Sequence, residues 1–277
     1  EEENVLAMVS SLGPNDAAAE YLAENGVPDL MEFGGAKKFT DLTKYPLLSN
    51  ATATWYIEGK NFASYIKETF PGKKVGLLYV NNEAGKEERQ ALEEFLDPSN
   101  PLVDAEPYEE TAIDVRSQVL KLKEAGTEVL VLASTLAVTA QALKQADRMD
   151  WSPAVIMNYT NSDPLLFTYA PAEVLEGAIS FQAFKMPDWT DDPAVADHHR
   201  IMGKYGGPAP STFTILMQTI GEILVETLNR TCDNLTREGL MKAYESFQCD
   251  PGWPGLIYPG TCINTSPTDH FLFAQAN

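Results

Sequence analysis

The segment at residues 73–96, KKVGLLYVNNEAGKEERQALEEFL, constrains the fold more than any other part of the sequence. Its apolar run from Val75 to Val80 is interrupted only by Gly76 and is short enough for a strand that is buried on both faces. Turn-forming residues follow at 81–85, and then comes a charged stretch whose apolar residues recur at helical spacing. The segment therefore predicts one strand–loop–helix unit of a parallel α/β sheet. In such sheets ligands bind outside the carboxyl ends of the strands, where loop 81–85 would lie.

Strand and helix patterns alternate from Val5 to about Leu166, which predicts a doubly wound parallel sheet or two of them. Because crossovers between parallel strands are right-handed, every strand–helix loop of such a sheet lies at one edge. The candidate binding loops are therefore 10–15, 33–37, 81–85, 134–136 and 158–161. The pattern changes after Gly177, where the sequence predicts a strand at 178–184 and helices at 198–205, 213–228 and 236–247.

The net charge of the protein limits the classes of partner that it is expected to bind. The 277 residues include 40 Asp and Glu but only 20 Lys and Arg, a formal net charge of −20 at pH 7. Since basic clusters are missing, we expect binding neither to nucleic acid nor to an anionic membrane surface. No apolar run approaches the roughly 20 residues of a membrane span, so we expect no membrane insertion. The sequence contains no signal peptide, and a secreted protein would have to appear here with its signal peptide removed.

Motifs of nucleotide binding and catalysis are not found in the sequence. It contains neither G-x-G-x-x-G nor G-x-x-x-x-G-K-[ST] nor G-x-S-x-G. His198 and His199 would point about 100° apart on a helix, so we expect two partly exposed residues rather than metal ligands. The acidic pairs are expected to be solvated: Glu93-Glu94, Glu109-Glu110 and Asp191-Asp192. The sequence thus predicts no catalytic residue, no metal and no cofactor, and the protein is not expected to be an enzyme.

The three cysteines, Cys232, Cys249 and Cys262, lie in the last fifth of the chain. Their spacings match no zinc pattern. One disulfide with one free thiol and three buried thiols both remain open, because connectivity cannot be deduced from sequence.

Small and polar residues recur in the candidate loops. Their hydroxyls, and exposed backbone N–H groups at helix N-termini, suit a small carboxylate. Such groups bind a ligand without offering an evident route to catalysis. These residues are Ser10, Ser11, Gly13, Asn15, Gly34, Gly35, Asn81, Asn82, Ser134, Thr135, Asn158, Tyr159 and Thr160.

Six stretches of the sequence resemble, in this order, the type I periplasmic binding proteins of branched-chain amino acid ABC transporters, the Leu/Ile/Val-binding protein family. They are VLAMVSSLGPNDAAAEYLAENGVPDL, GGAKKF, YIEGKNFASYI, KKVGLLYVNNEAGKE, DVRSQVLKLKEAGTEVLVLAST and PGTCINTSPTDH. The resemblance implies an α/β fold of two Rossmann-like lobes with parallel sheets, joined by hinge strands, with the ligand clamped between the lobes. The first lobe would comprise residues 1–53 and 187–267 and the second 54–186 and 268–277. The hinges would fall near 52–54, 183–186 and 267–270.

The function implied by the resemblance is that of an extracytoplasmic solute-binding protein, periplasmic or extracellular, and free or lipid-anchored in its full-length form. It would capture a small carboxylate or amino-acid-like ligand and deliver it to the membrane permease of an ABC transporter. Two alternatives stay open. One is a ligand-sensing domain of a receptor or regulator on the same fold, and the other is an α/β hydrolase-type enzyme.

The resemblance also implies ligand contacts in the loops of both lobes. Ala84 stands where the family usually has a tyrosine, Lys37 stands where many relatives have a small residue, and the sequence has no acidic residue near Tyr159 for a ligand ammonium. These departures favour an anionic ligand without an amino group over a branched-chain amino acid. The implied contacts are Ser10, Ser11, Leu12, Gly13, Gly35, Ala36 and Lys37 in the first lobe and Asn82, Ala84, Ser134, Thr135, Leu136, Asn158 and Tyr159 in the second.

The length of the chain is a further departure. It begins at what resembles the third strand of the first lobe, and about a quarter of a relative of ~350 residues has no counterpart. We therefore expect a chain truncated at its N-terminus, with an incomplete first lobe.

Overall fold

The computed structural model of the protein describes residues 5–11, 16–112, 114–249, 253–265 and 273–275. The chain divides into two compact units: unit 1 comprises Glu1–Thr54 and Ala183–Asn277, and unit 2 comprises Trp55–Gln182. The chain thus passes between the units next to two of the three predicted hinges. The predicted hinge at 267–270 lies outside the described residues. The division keeps residues 183–186 and 268–277 in unit 1, whereas the lobe boundaries proposed from the sequence gave them to the second lobe.

Strands occur along both units. In chain order they are β1 (Met8–Val9), β2 (Asp29–Glu32), β3 (Leu48–Asn50), β4 (Val75–Val80), β5 (Leu102–Tyr108), β6 (Val129–Ala133), β7 (Ala154–Met157), β8 (Ile179–Ser180), β9 (Thr261–Ile263) and β10 (Phe273–Gln275).

Helices alternate with most of these strands. They are α1 (Asp16–Glu24), α2 (Trp55–Thr69), α3 (Glu83–Phe95), α4 (Arg116–Glu124), α5 (Leu136–Arg148), α6 (Leu166–Tyr169), α7 (Ala172–Leu175), α8 (Pro193–Tyr205), α9 (Thr212–Thr231) and α10 (Arg237–Tyr244), with 3-10 turns at Lys37–Thr40 and Tyr159–Ser162.

Unit 2 is built around a five-stranded parallel sheet in the order β5-β4-β6-β7-β8. β4 pairs with β5 on one side and with β6 on the other, and all of its residues are buried. Leu77 belongs to a core with Phe62 of α2 on one face, and Leu78 belongs to a core with Leu143 of α5 on the other. The predicted strand buried on both faces is therefore confirmed.

Unit 1 contains a three-stranded parallel sheet in the order β1-β2-β3 and an antiparallel pair, β9 with β10. Its core joins Leu30 of β2 to Ile215 and Ile223 of α9 and to Tyr244 of α10. Among the described residues of either unit, no helix is long and apolar enough to cross a bilayer.

Two elements after Gly177 differ from their sequence-based predictions. The strand predicted at 178–184 is too long, because β8 pairs with β7 only through Ile179 and Ser180 and β7 itself ends there. α8 begins at Pro193, five residues before the predicted start. Its N-terminus is fixed by Asp192, whose carboxylate accepts hydrogen bonds from the N–H groups of the first turn, and the Pro193 nitrogen needs no partner there.

Asp192 therefore departs from the prediction that Asp191-Asp192 is a solvated pair. Besides capping α8, its carboxylate lies 2.7 Å from the Lys185 ammonium. Asp191 is exposed and agrees with the prediction.

The prediction that His198 is partly exposed is wrong. The ring is fully buried, with Nδ1 2.7 Å from Gln218 Oε1 and Nε2 2.8 Å from Thr214 Oγ1. Both partners lie on α9, so α9 covers a side chain that the local sequence of α8 would leave at the surface. His199, by contrast, is half-buried and donates from Nε2 to the carbonyl of Pro187.

Of the two cysteine arrangements left open by the sequence, the structure has the disulfide. Cys249 and Cys262 are bonded, and Cys232 is a free, exposed thiol. The bond joins the segment after α10 to β9 within unit 1.

Candidate functional site

The parallel strands of unit 2 bring three of the predicted loops to one sheet edge. β4 and β6 are neighbours, as are β6 and β7, so the loops that follow their carboxyl ends lie side by side. Side chains connect two of these loops directly. Asn161 donates from Nδ2 to the carbonyl of Ser134 at 2.7 Å and also contacts the amide oxygen of Asn158.

The loop after β4 is fixed by its own helix cap. Asn82 is the N-cap of α3, and its Oδ1 accepts a hydrogen bond from Gly85 N at 3.2 Å. A Cβ at Gly85 would lie 2.1 Å from the carbonyl oxygen of Val80, so this position requires glycine. Ala84 is half-buried in the first turn of α3 and offers only a methyl group.

The loop after β6 is mostly committed to internal contacts. Ser134 is buried and its hydroxyl shares a 2.6 Å hydrogen bond with Thr139. Thr135 is exposed, makes no side-chain cap, and donates from its backbone N to the Tyr108 hydroxyl at 3.0 Å. Leu136 packs against the core beneath α5. Thr135 is therefore the residue of this loop whose side chain faces solvent.

The loop after β7 is held by a distant acid. The backbone N–H of Tyr159 donates to Glu58 Oε1 at 2.6 Å, and the carbonyl of Asn158 accepts from the Ser180 hydroxyl at 3.1 Å. We expected no acidic partner for a ligand ammonium near Tyr159, whereas the fold places the Glu58 carboxylate there from α2, 101 residues away. Glu58 is buried and already bonded to the backbone of this loop.

In unit 1 the loops after β1 and β2 are also neighbours. Ser10 N donates to Leu30 O at 2.9 Å, and Phe33 N donates to Ser11 O at 2.8 Å. The Ser11 hydroxyl is bonded to the buried Asp29 carboxylate at 2.9 Å. Ser10 has a φ of +52° and its hydroxyl lies 3.5 Å from the Met217 sulfur. Leu12 and Gly13 lie outside the described residues.

The second loop of unit 1 combines a buried acid with a cation. Gly35, with a φ of +67°, and Ala36 are buried, and the half-buried Lys37 begins the 3-10 turn. Glu32 at the end of β2 is fully buried, and burial raises its pKa to about 7 despite the backbone N–H groups of Gly34 and Gly35. The nearby Asp29 carboxylate adds to this rise.

Three buried glutamates, Glu32, Glu58 and Glu88, were missed by the sequence reasoning. For two of them the sequence does contain a sign of burial, namely a glutamate spaced with the apolar residues of a helix. Glu58 precedes Phe62 and Ile66 at intervals of four residues, and Glu88 precedes Leu92 by four. A charged residue in register with the apolar face of a helix marks a buried acid. Among the described residues no group of three or more His, Cys, Asp or Glu could hold a metal ion.

The sequence matches the family model described as "Periplasmic binding protein" over residues 1–276. No curated protein matches the chain.

Solved structures of solute-binding proteins have a similar fold. A branched-chain amino acid ABC transporter structure from Thermus thermophilus with bound valine is 19% identical (TM-score 0.82), and the alignment covers 99% of this chain and 75% of that one. A fatty acid ABC transporter substrate-binding protein from Thermomonospora curvata is 19% identical (TM-score 0.79; 92% and 67% covered). A solute-binding protein from Rhodopseudomonas palustris BisB5 in complex with 3,4-dihydroxybenzoic acid is 15% identical (TM-score 0.78; 99% and 73% covered). The α/β architecture with parallel sheets is that of type I periplasmic binding proteins.

Proposed function

The chain belongs to the periplasmic binding protein family, and we propose that it is an extracytoplasmic solute-binding protein that captures a small carboxylate and delivers it to the permease of an ABC transporter. Ligand-contacting residues would be drawn from the loops of both units. Binding would proceed without covalent chemistry, as a shift in the population of conformations that the ligand favours.

One observation carries the proposal: the loops after β4, β6 and β7 meet at one edge of the unit 2 sheet. They combine a helix N-terminus capped by Asn82, the exposed hydroxyl of Thr135 and the Asn158–Tyr159 backbone. Oriented N–H groups and hydroxyls at the carboxyl ends of parallel strands suit an anionic group. In unit 1, the half-buried Lys37 supplies a positive charge beside the buried Gly35 and Ala36.

The ligand class follows from the charges present. Valine, fatty acids and 3,4-dihydroxybenzoic acid, the molecules named for the similar structures, share a carboxylate. An amino acid also needs an anionic partner for its ammonium. Glu58 is buried and its Oε1 is bonded to the Tyr159 backbone, so it is poorly placed to serve as that partner. We therefore favour a carboxylate without an amino group.

The test is a thermal-shift and calorimetric screen of L-valine, L-leucine, laurate and 3,4-dihydroxybenzoate. One carboxylate class is expected to raise the Tm by several degrees, because a ligand that binds only the folded state stabilises it. The matched amides, such as 3,4-dihydroxybenzamide, are expected to give no shift. The proposal fails if no carboxylate of this panel binds the folded protein.

A charge-deleting variant of unit 1 sharpens the screen. Lys37→Met is expected to weaken carboxylate binding about tenfold or more, since a charge-assisted hydrogen bond contributes ~1.5–3 kcal/mol. Lys44→Met removes an equally cationic side chain that pairs with Glu20 and is 55% exposed. This control is expected to bind like the wild type, and an equal loss in both variants would count against a specific role of Lys37.

A further inference from the structure

Two buried carboxyl groups face each other where α2 packs on α3. Glu58 and Glu88 are 5% and 1% exposed. The helices approach closely because Gly59 has no side chain: a Cβ there would lie 2.8 Å from the carbonyl oxygen of Glu88. This approach brings the two acids together where they have little contact with water.

Both acids reach the loop after β7. Glu58 Oε1 accepts the 2.6 Å hydrogen bond from Tyr159 N, and the Glu88 carboxyl interacts with the side chain of Asn158. Tyr159 starts the 3-10 turn Tyr159–Ser162, so its N–H has no intrahelical partner. Glu58 therefore supplies the hydrogen bond that the backbone leaves unmade.

The hydrogen bond between the Glu58 and Glu88 side chains requires a proton on one of the two carboxyl groups. Glu58 Oε2 and Glu88 Oε2 are both buried, and no N–H or O–H donor of the described residues reaches either. One proton on Glu88, donated to the Glu58 carboxylate, forms the hydrogen bond between the two side chains and removes the repulsion between two buried anions.

Among the described residues, the groups that chiefly shift the pKa values of the pair include no cation. Among the described residues, the other titratable groups that interact with the acids are Glu87 on α3 and Tyr108 at the end of β5. Neither is a cation. Burial first, and then the neighbouring Glu58 carboxylate, hold the pKa of Glu88 well above its usual range.

We propose that Glu58 and Glu88 are positioning residues for the ligand loop at Asn158 and Tyr159. One shared proton joins the two side chains, and this protonated pair acts as a lock on the loop. Loss of the proton at higher pH loosens the loop and lowers ligand affinity. The role of the loop in ligand binding rests on the proposed function. The lock itself does not, because it acts in the ligand-free protein. On deprotonation the proton leaves to solvent, and the two carboxylates then repel each other without a bridging donor.

The first experiment needs no ligand. The exchange rate of the Tyr159 backbone amide is measured in the wild type and in Glu88→Gln from about pH 5.5 to about pH 8. In the variant, the side-chain amide at position 88 donates to Glu58 at every pH. The ratio of the two exchange rates cancels intrinsic base catalysis. We expect it to rise about tenfold across this range, as the wild-type lock opens and the variant's does not. Glu87→Gln removes a neighbouring negative charge that helps to raise the pKa of Glu88 but leaves the shared proton in place, so its ratio is expected to rise as in the wild type, at a slightly lower pH.

A ratio of exchange rates that does not change with pH, or a Glu87→Gln variant as insensitive to pH as Glu88→Gln, would overturn the lock. If Glu88→Gln does not fold, carbon-13 NMR titration of the glutamate carboxyls in the wild type decides instead. One carboxyl of the pair that stays protonated beyond about pH 6 supports the proposal, and two ordinary titrations refute it.

The second experiment measures the consequence for binding. Calorimetric titration with 3,4-dihydroxybenzoate is expected to give a Kd that rises at least fivefold from about pH 5.5 to about pH 8 in the wild type and stays constant in Glu88→Gln. If this and every other panel compound fails to bind, the proposed function fails while the exchange measurement still decides the lock. Binding with the same pH profile in both proteins would refute the coupling alone.

Discussion

Gly59 of α2 lies against the backbone of Glu88 in α3, so close that a methyl group at Gly59 would come within 2.8 Å of both the Glu88 carbonyl oxygen and the Ala91 Cβ. Real Cβ atoms do not approach backbone oxygens this closely, and the contact is therefore specific to glycine at this position. It sets the distance between two helices that carry a buried acid each.

Gly59→Ala is accordingly expected to destabilise unit 2 by about 1–3 kcal/mol, since the overpacking outweighs the gain of up to ~1 kcal/mol in helix propensity. Chemical denaturation followed by circular dichroism measures the change. Gly203→Ala in α8 is the matched control, because a Cβ there meets nothing within 4 Å. That variant is expected to be as stable as the wild type or more so. A stable Gly59→Ala would show that the helices separate at little cost.

Glu32→Gln is expected to flatten the dependence of stability on pH. The folded-state pKa of Glu32 is raised from 4.5 to about 7, so its contribution to stability is present below pH 4.5 and is lost as the pH rises through about 7. The loss amounts to at most about 3 kcal/mol. Thermal unfolding between pH 4.5 and pH 8 should show a shallower decline of Tm in the variant.

The exposed Glu68 provides the control for this measurement, and Glu68→Gln is expected to keep the wild-type slope. The slope of Tm against pH is compared, and not Tm itself, because the glutamine amide introduced at position 32 changes the contact with Gly34 at every pH. An unchanged slope in Glu32→Gln would mean that Glu32 does not hold its proton in the folded state.

Asp192→Ala is expected to destabilise unit 1 by about 1–2 kcal/mol through loss of the N-cap of α8, and Asp191→Ala by much less. Lys185 and the capped N–H groups lower the pKa of Asp192. Its contribution is therefore present above the usual pKa of aspartate and is lost as the pH falls through the lowered value. Urea denaturation of both variants at neutral and acidic pH measures this difference, and equal losses from the two neighbours would contradict the capping role.

Removal of the Cys249–Cys262 disulfide is expected to destabilise unit 1. The two residues are 13 positions apart, and closing a loop of that size contributes about 3 kcal/mol in the chain-entropy model. Replacement of both by serine should therefore lower the Tm, and added reductant should not lower it further. Cys232→Ser changes the exposed free thiol and is expected to leave the Tm unaltered. A reductant-sensitive Tm in the double variant would contradict this assignment.

The sequence alone was sufficient for those predicted elements whose signals are local. The apolar run Val75–Val80 predicts a strand buried on both faces, and helical periodicity locates α9, predicted at 213–228, to within a few residues. The recurrence of small polar residues after strand ends identifies the loops that the parallel sheets then place at common edges. These inferences succeed because hydrogen-bond geometry and side-chain periodicity are determined over a few neighbouring residues.

Burial, disulfide pairing and protonation depend on partners that are distant in sequence, and these features follow only from the tertiary structure. His198 becomes buried because α9 covers it, and two of the three cysteines become bonded because β9 lies beside the segment after α10. Glu58 meets Glu88 across 30 positions and Tyr159 across 101, so its protonation depends on groups that no local pattern reveals. Local periodicity determines which elements form, whereas burial and charge at each loop are determined only when the elements pack.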